Sequence, residues 1–489
     1  MRLMFHRVSL LEVMLFVATL CVALYFRVTN LGGMFSYDYD EGVYSMSARM
    51  ILGGNLPFTQ VFSSQPPHFI LFLAAFLKMF GMSIAYARLF IVFTSIIGII
   101  GAYLIARDIG GYKAGFASSL MLSISPYFLR QSRSVQSEIP SIGFCLIGIW
   151  LFLIGLRNKN NRYLLVSGLL VCLGAMMKLN IGLAALLMVP ILLVKRNFRG
   201  LTYLILGLLL PLTIPPFFDL NKMMEQMILF HLVKPATGTI NDRWESIKSI
   251  LLMDTGLLAS AIVGVYFCAI KRKLDGIFII MFTAALFLFL ILYRAFFLHQ
   301  AVVLIPPLAI MGGVALASSL EGIQKIIRCK RAILTRVKAR AVLIRVFTLI
   351  IGVALLLNYC VSAVNVIRYA LGLISQGDNP VFRDAVEIIR NYTDVSDYVI
   401  LDEQILAFFA ERDVPPDLVD TSHMRISSGY LDSNSVIRYA EQYRVKMVIL
   451  WTGRLRRLSD FVNYVKSNYR LIKDYGEGRE IYIRMENPK

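Results

Sequence analysis

The chain has 489 residues, of which 57% are hydrophobic, and a mean hydropathy of +0.66. Repeated apolar runs of about 18 or more residues indicate a polytopic membrane protein and exclude an ordinary soluble chain. The formal net charge is +19, but residues 365–489 contain 17 Lys and Arg against 18 Asp and Glu, so the positive excess lies in residues 1–364. Positive charge in the membrane part is typical of residues that set the orientation of the helices and contact anionic lipids. Its location argues against nucleic-acid binding.

The first predicted element is a transmembrane helix over about residues 9–29 that is retained in the mature chain. No small-residue cleavage site follows the apolar run, which argues against a cleaved signal peptide. Arg2 and Arg7 precede the helix, and the positive-inside rule places them on the cytoplasmic side.

An acidic stretch follows this helix and is therefore expected on the outer side of the membrane. Asp38, Asp40 and Glu41 lie within four residues, and a short surface helix is predicted over 41–53. Acids at the end of a membrane helix are costly unless they are solvated, paired or used. A solvated loop start and a catalytic carboxylate are the two interpretations of this cluster.

Eleven transmembrane spans are predicted in all. The apolar run 69–80 is short for a span and is interpreted as a re-entrant or interfacial helix on the outer side. The segment 319–343 is a strongly basic inner loop. The ten spans after the first helix are expected at 87–106, 114–130, 139–156, 163–177, 181–194, 201–217, 255–270, 276–292, 300–318 and 344–363.

The character of the chain changes after the last span. Short apolar strands are predicted at 398–401 and 446–451, with helices between them and a final hairpin over 469–484. The predicted fold class is therefore mainly α, a polytopic membrane protein with a small C-terminal α/β domain on the outer side. The expected division is 1–364 and 365–489. The second part has no Gly-rich phosphate loop, and we identify no catalytic constellation in it.

Polar residues that interrupt the apolar pattern gather, in this topology, on the outer face. A carboxylate there can take a proton from an attacking hydroxyl, and cations can neutralise a departing phosphate. The alternative for Arg88 and Arg294 is that they are snorkelling anchors at the membrane interface. The same alternative applies to Arg133 and Lys178.

Several short motifs on this face resemble the GT-C class of membrane glycosyltransferases, in particular the protein O-mannosyltransferase and bacterial aminoarabinose transferase families (glycosyltransferase family 39-like). The resemblance covers roughly residues 8–320. Its motifs are D-E-G-V-Y (40–44), L-G-G-N-L-P-F (52–58), Q-P-P-H (65–68), Q-S-R-S-V-Q-S-E-I-P (131–140), G-A-M-M-K-L-N (174–180) and H-Q-A-V-V-L-I-P-P-L (299–308).

The resemblance implies transfer of a sugar, with inversion, from a polyprenyl-phosphate donor to a hydroxyl on the outer face. Asp40 matches the family's first-loop aspartate, the proposed base, and Glu138 matches an acid of the second outer loop. Arg133 and Lys178 match cations near the lipid phosphate. Gln65 departs from the aminoarabinose transferases, which carry Lys before the Pro-Pro-like turn.

The predicted site has three groups of residues. The catalytic candidates are Asp40, Glu41 and Glu138. The donor-phosphate candidates are Arg133, Lys178, Arg294 and His299. The remaining substrate-binding candidates are Asp38, Gln65, His68 and Arg88.

No cofactor is required by this scheme, although a divalent metal is compatible with Asp40, Glu41 and Glu138. The six cysteines form neither a metal-ligand spacing nor a disulfide framework. The expected partners are a polyprenyl-phosphate-linked sugar, membrane lipids and an acceptor protein, glycan or lipid. The expected location is the plasma membrane, with the N-terminus cytoplasmic.

Two other functions compete with this one. An oligosaccharyltransferase-like relative is disfavoured because the C-terminal part is small and lacks a W-W-D-type run. A transporter or flippase for lipid-linked sugars would be expected to show inverted repeats and ionisable residues in mid-span, and we find neither in the sequence.

Overall fold

A computed structural model of the chain describes residues 9–271, 273–328 and 339–485. A large helical part comes first and a small α/β part follows it. The first seven helices are α1 (Leu10–Val28), α2 (Tyr39–Leu52), α3 (His68–Phe80), α4 (Ile84–Gly110), α5 (Tyr112–Ile124), α6 (Pro126–Gln131) and α7 (Glu138–Asn158). The next ten are α8 (Asn161–Ala175), α9 (Leu183–Val194), α10 (Phe198–Leu209), α11 (Leu220–Met224), α12 (Phe230–Val233), α13 (Ile240–Leu252), α14 (Thr255–Lys271), α15 (Lys273–Leu292), α16 (Ile305–Arg328) and α17 (Ala339–Ile374).

The helical part is that of a multi-pass membrane protein. Among the described residues, seven helical segments are long and apolar enough to cross a bilayer, or eight if α13 and α14, which meet at a bend of 103°, form one span. Each of the eleven predicted spans falls on one or two helices, so the mainly α, polytopic class is confirmed. The number eleven stays a prediction, because α8 and α9 are apolar but shorter than a bilayer is thick.

Close helix packing brings polar chain segments into the interior. Helices α4 and α7 approach at Gly98 and Gly143, where a Cβ on Gly143 would lie 2.8 Å from the Thr94 carbonyl oxygen. Small residues permit such contact between membrane helices. The 3₁₀ turn Leu298–Leu304 and the part of α16 that follows it are buried along most of their length. That turn carries His299 into the centre of the molecule.

The C-terminal part is the predicted α/β unit. Its four strands are β1 (Val399–Leu401), β2 (Met447–Leu450), β3 (Tyr469–Asp474) and β4 (Glu480–Arg484), in the sheet order β1-β2-β4-β3. Strands β1 and β2 are parallel, and the other pairs are antiparallel. Its helices are α18 (Pro380–Tyr392), α19 (Gln404–Ala410), α20 (His423–Ser427), α21 (Ser433–Gln442) and α22 (Ser459–Asn468).

Helix α19 connects the two parts of the molecule. All of its residues are buried, between the sheet on one side and α2 of the membrane part on the other. Helix α17 continues to Ile374, beyond the predicted division at 364/365, so the change of architecture follows that residue. The C-terminal part is thus docked on the helix that begins in the acidic stretch.

Two sequence predictions fall on residues that the structure does not describe. Arg2 and Arg7, which set the predicted orientation of the first helix, lie outside the described residues. So does the centre of the basic loop, residues 329–338. The orientation of the chain in the membrane therefore stays a prediction.

Candidate functional site

A cavity of about 480 Å³ lies where the membrane helices meet the C-terminal domain. Five parts of the chain supply its charged and titratable lining. These are the start of α2, the segment before α9 that carries Lys178, the region from α12 to α13, the segment from Tyr293 to His299, and the C-terminal domain. Its charged and titratable lining residues are Asp38, Tyr39, Asp40, Tyr44, Lys178, His231, Lys234, Asp242, Arg243, Tyr293, His299, Asp420, His423 and Arg454.

The first turn of α2 presents Asp38 and Asp40 to this cavity. Asp38 is the N-cap residue, and its carboxylate accepts a hydrogen bond from the Asp40 backbone N–H at 3.2 Å. Asp and Asn are favoured at this position because they satisfy a free amide and complement the positive end of the helix. The cap therefore fixes the loop geometry, and Asp40 follows in the first turn.

His299 lies between these two carboxylates. Its Nδ1 is 3.5 Å from an Asp38 oxygen, and its Nε2 is 3.6 Å from an Asp40 oxygen. Burial raises the pKa of the Asp38 carboxyl, but the contact with His299 and its charge outweigh burial and lower that pKa to about 2. Burial raises the pKa of Asp40 to about 6, with the Asp38 and Glu138 charges adding to the rise and His299 and Lys178 opposing it. Two neighbouring carboxyls thus differ in proton affinity, as expected for groups with different roles.

Glu138 lies behind the cavity wall as the first residue of α7. It is fully buried, and its carboxylate is 2.7 Å from the Lys178 ammonium and 3.6 Å from His299 Nε2. Both of those cations line the cavity. Glu138 therefore neutralises and orients two lining residues, and its predicted catalytic role remains a prediction.

Lys234 is a buried cation that the sequence analysis did not single out. His231 Nε2 contacts the Ser64 carbonyl oxygen at 2.8 Å and must be the donor there. Its Nδ1 is then an acceptor, and it faces the Tyr293 hydroxyl at 2.9 Å and the Lys234 ammonium at 3.3 Å. Burial and the Lys234 charge lower the pKa of His231 to about 4, which keeps the ring neutral.

The Lys234 ammonium keeps its charge without an ion pair. Burial lowers its pKa to about 8, and its side chain is 9% exposed. Among the residues that the structure describes, no carboxylate oxygen lies within 4 Å of the Lys234 ammonium. It also lies 4.4 Å from the centroid of the Phe230 ring. A buried cation held in this way is suited to an anionic ligand.

Two arginines complete the charged lining. Arg243, on α13, donates from Nη1 to the Tyr293 carbonyl oxygen at 2.6 Å. Arg454, in the C-terminal domain, lies over the ring of Tyr39, with its Cζ 3.8 Å from the ring centroid. The C-terminal domain, in which the sequence analysis identified no catalytic constellation, contributes Asp420, His423 and Arg454 to the cavity lining.

Glu41 and Arg88 form a buried ion pair away from the cavity. Arg88 donates from Nε and Nη2 to the two carboxylate oxygens of Glu41, at 2.9 and 3.0 Å, and both side chains have no exposed area. Arg88 also donates to the carbonyl oxygens of Leu31, Gly33 and Phe35. The pair fixes the loop between α1 and α2. The sequence analysis expected both residues in the functional site, but neither of them lines the cavity.

Arg133 is likewise placed in the interior beneath this loop. Its guanidinium donates to the Tyr37 hydroxyl at 2.8 Å and to the carbonyl oxygens of Phe26, Arg27 and Asn30. These contacts use its Nε and both terminal nitrogens. Its placement supports a structural role more strongly than the predicted contact with a donor phosphate.

The other predicted residues divide between cavity, core and surface. Gln65, Lys178 and His299 line the cavity, as do Asp38 and Asp40. His68 is buried at the start of α3, where Nε2 donates to the Pro211 carbonyl oxygen at 2.9 Å. Arg294 is exposed outside the cavity lining.

Asp38, Asp40 and His299 form a candidate metal site. One donor atom from each lies within 4.8 Å of the others. Two carboxylates and an imidazole are ligands that zinc and manganese accept. This set differs from the expected Asp40, Glu41 and Glu138, because the Glu41 carboxylate is occupied by Arg88 and that of Glu138 by Lys178.

Comparison with known proteins gives one family match and several matches of fold. Residues 64–218 match the family model described as dolichyl-phosphate-mannose-protein mannosyltransferase. A search of curated proteins gives no match.

The structural matches extend over almost the whole chain. ArnT from Cupriavidus metallidurans, solved bound to undecaprenyl phosphate, aligns with a TM-score of 0.67 and 16% identity, over 98% of this chain and 99% of that one. AglB from Archaeoglobus fulgidus, an archaeal oligosaccharyltransferase solved with an inhibitory peptide and a dolichol-phosphate, aligns with a TM-score of 0.58 and 12% identity, over 98% of this chain and 74% of that one. A complex of the A. fulgidus oligosaccharyltransferase with Zn and sulfate aligns with the same TM-score and identity, over 96% of this chain and 73% of that one.

At these identities the structural matches establish the fold. They agree with the family match over residues 64–218. The resemblance to the GT-C class of membrane glycosyltransferases is thereby confirmed, in an ArnT-like fold with a small C-terminal sheet.

Proposed function

We propose that this protein transfers a sugar from a polyprenyl-phosphate donor to a hydroxyl acceptor, with inversion in a single displacement. The observation that carries the proposal is the cavity, in which an acid of raised pKa and buried cations face one space. The family match and the fold, which is shared with proteins solved bound to undecaprenyl phosphate and dolichol-phosphate, support the same class of donor.

Asp40 is the proposed general base. Its carboxylate lies at the start of α2 and lines the cavity, and 32% of the side chain is exposed. A base with a pKa of about 6 is largely ionised at neutral pH, yet it accepts a proton more readily than an ordinary carboxylate does. In this scheme Asp40 takes the proton of the acceptor hydroxyl while that oxygen attacks the anomeric carbon.

Lys178, Lys234 and Arg243 are the proposed ligands of the donor phosphate. Cations fixed in a poorly hydrated site stabilise the charge that a departing phosphate gains, since water cannot do so there. Lys178 is oriented by Glu138 and Lys234 by His231. His299 is proposed to hold Asp38 and Asp40 apart and to balance their charge.

A divalent metal, where bound, would be held by Asp38, Asp40 and His299 and would supply further positive charge toward the donor phosphate. The residues themselves still position the acceptor and the donor.

We propose that the cavity and the C-terminal domain face outward from the plasma membrane. Ser427 is exposed in the C-terminal domain, and Asn158 is exposed at the far end of α7. In a variant without native cysteines, Ser427→Cys should react with an impermeant thiol reagent on intact cells and Asn158→Cys should not. The opposite labelling would place the cavity on the cytoplasmic side.

The proposed reaction is tested with purified protein in lipid nanodiscs and a panel of polyprenyl-phosphate sugars. Mass spectrometry of released polyprenyl phosphate reports cleavage of the donor. We expect release from at least one donor, and release about 10²–10⁴-fold slower from the Asp40→Asn variant. A donor that binds but is carried intact across a vesicle bilayer would instead support the transporter.

A further inference from the structure

Tyr39 lies between the two cavity acids in sequence, but it contacts the C-terminal domain. Its hydroxyl oxygen accepts a hydrogen bond from the Thr421 backbone N–H at 2.9 Å and lies 3.2 Å from the Thr421 hydroxyl. Arg454 covers the ring, with its Cζ 3.8 Å from the ring centroid. The stacked guanidinium restrains the plane of the tyrosine ring, and the hydrogen bond from the backbone amide restrains the position of its hydroxyl.

The rest of α2 is packed against the same domain. A Cβ on Gly42 would lie 2.4 Å from the Ile405 backbone nitrogen, so α2 and α19 touch backbone to backbone. Near the other end of α2, Arg49 Nε donates to the Asp413 carboxylate at 2.7 Å. The C-terminal domain thus holds α2 along its length, and Tyr39 is the contact nearest the acids.

The Asp40 carboxylate, by contrast, is weakly restrained by its own contacts. The shortest ion-pair contact that the described residues make with it is His299 Nε2, at 3.6 Å, which is longer than a hydrogen bond. Its position therefore depends on the backbone of the first turn of α2. That turn is held within the membrane part by the Asp38 cap and by Glu41, which is bound to Arg88, and on the side of the C-terminal domain by Tyr39.

We propose that Tyr39 and Arg454 are positioning residues, through which the C-terminal domain fixes the Asp40 carboxylate for catalysis. The expected effect on the rate rests on the proposed function. The structural claim, that the C-terminal domain holds the first turn of α2, rests on the contacts alone. A displacement of a catalytic group by about 1 Å can lower a rate by ~10²-fold. The membrane part without a docked C-terminal domain would then bind donor but turn it over slowly.

The test compares Arg454→Ala with the matched variant Arg457→Ala. Arg457 is an exposed arginine of the same loop and lies outside the cavity lining. We expect Arg454→Ala to lower kcat by ~10–10²-fold while the KM for donor stays unchanged, and Arg457→Ala to leave both unchanged. Arg454→Lys, which keeps a cation over the ring, should recover part of the rate.

Hydrogen exchange of the backbone amides of residues 38–44 supplies a readout that does not need activity. We expect faster exchange there in Arg454→Ala and in Tyr39→Phe, at melting temperatures close to the wild type. Unchanged exchange, or a kcat equal to that of Arg457→Ala, would overturn the proposal. If wild-type protein cleaves no donor, the proposed function fails, whereas the exchange result still decides whether the C-terminal domain holds the acid turn.

Discussion

Two clusters of charged residues lie close together in this molecule and differ in how their hydrogen-bonding capacity is used. Beneath the loop between α1 and α2, Arg88 and Arg133 donate to one carboxylate, one hydroxyl and six backbone carbonyl oxygens of the protein itself. In the cavity, Asp40 and Lys234 line open space and make few such contacts.

The difference teaches how to separate structural from reactive charges in a membrane protein. A buried ion whose donors or acceptors are all taken by the protein stabilises a loop, and a ligand would have to displace those contacts. A buried ion with unused capacity costs stability and is better explained by a ligand or a reaction. Asp40 and Glu41, adjacent in sequence, fall on opposite sides of this division.

Breaking the first cluster should have the largest effect on stability. Arg88→Ala leaves the buried Glu41 carboxylate without its partner, which typically costs about 3–5 kcal/mol. We expect a markedly lower melting temperature or loss of folded protein in detergent. The double variant Arg88→Met with Glu41→Leu removes both charges and should recover much of the loss, whereas equal destabilisation in both variants would contradict the ion-pair assignment.

Breaking the second cluster should affect ligand affinity instead. A charged hydrogen bond contributes about 1.5–3 kcal/mol, so Lys234→Met should weaken binding of polyprenyl phosphate about 10- to 100-fold. Arg133→Lys keeps the charge but loses the guanidinium fork, and it should lower the melting temperature with donor affinity unchanged. Titration of the lipid phosphate into both variants measures this. If binding were weakened in Arg133→Lys and not in Lys234→Met, Arg133 would be the phosphate ligand and the assignment of Lys234 would be wrong.

The pH dependence of the rate sharpens the assignment of the base. The pKa of Asp40 is raised from its ordinary value to about 6, and a general base acts in its ionised form. The rate should therefore fall as pH drops through about 6, by roughly tenfold per pH unit below that value. An ordinary aspartate would give a flat profile between pH 5 and 7, and such a profile would contradict the environment described for Asp40.

The sequence predicted the architecture and part of the site. Apolar runs located the helices of the membrane part and the strands of the C-terminal part, because these signals are local. Asp40, Lys178 and His299 were found because they interrupt apolar segments at motifs that resemble a known class.

The features that the sequence did not predict are contacts between residues far apart in the chain. Glu41 was grouped with Asp40, but one step along a helix rotates a side chain by about 100°, and Glu41 meets Arg88 instead. Lys234 was missed because its environment comes from Ser64 and Tyr293, on distant segments. Arg454 was missed because the domain that carries it shows no motif, and only docking brings it to Tyr39.

The most direct measurement is the rate of polyprenyl-phosphate release by Asp40→Asn and Glu41→Gln, normalised to the folded fraction of each. Loss of a general base costs about 10²–10⁴-fold in rate. We expect a loss of this size in Asp40→Asn at wild-type stability. Glu41→Gln should instead have a lower melting temperature and a near-normal rate per folded molecule. Near-normal turnover in Asp40→Asn, or a loss of rate confined to Glu41→Gln, would contradict the assignment of the reaction to the cavity.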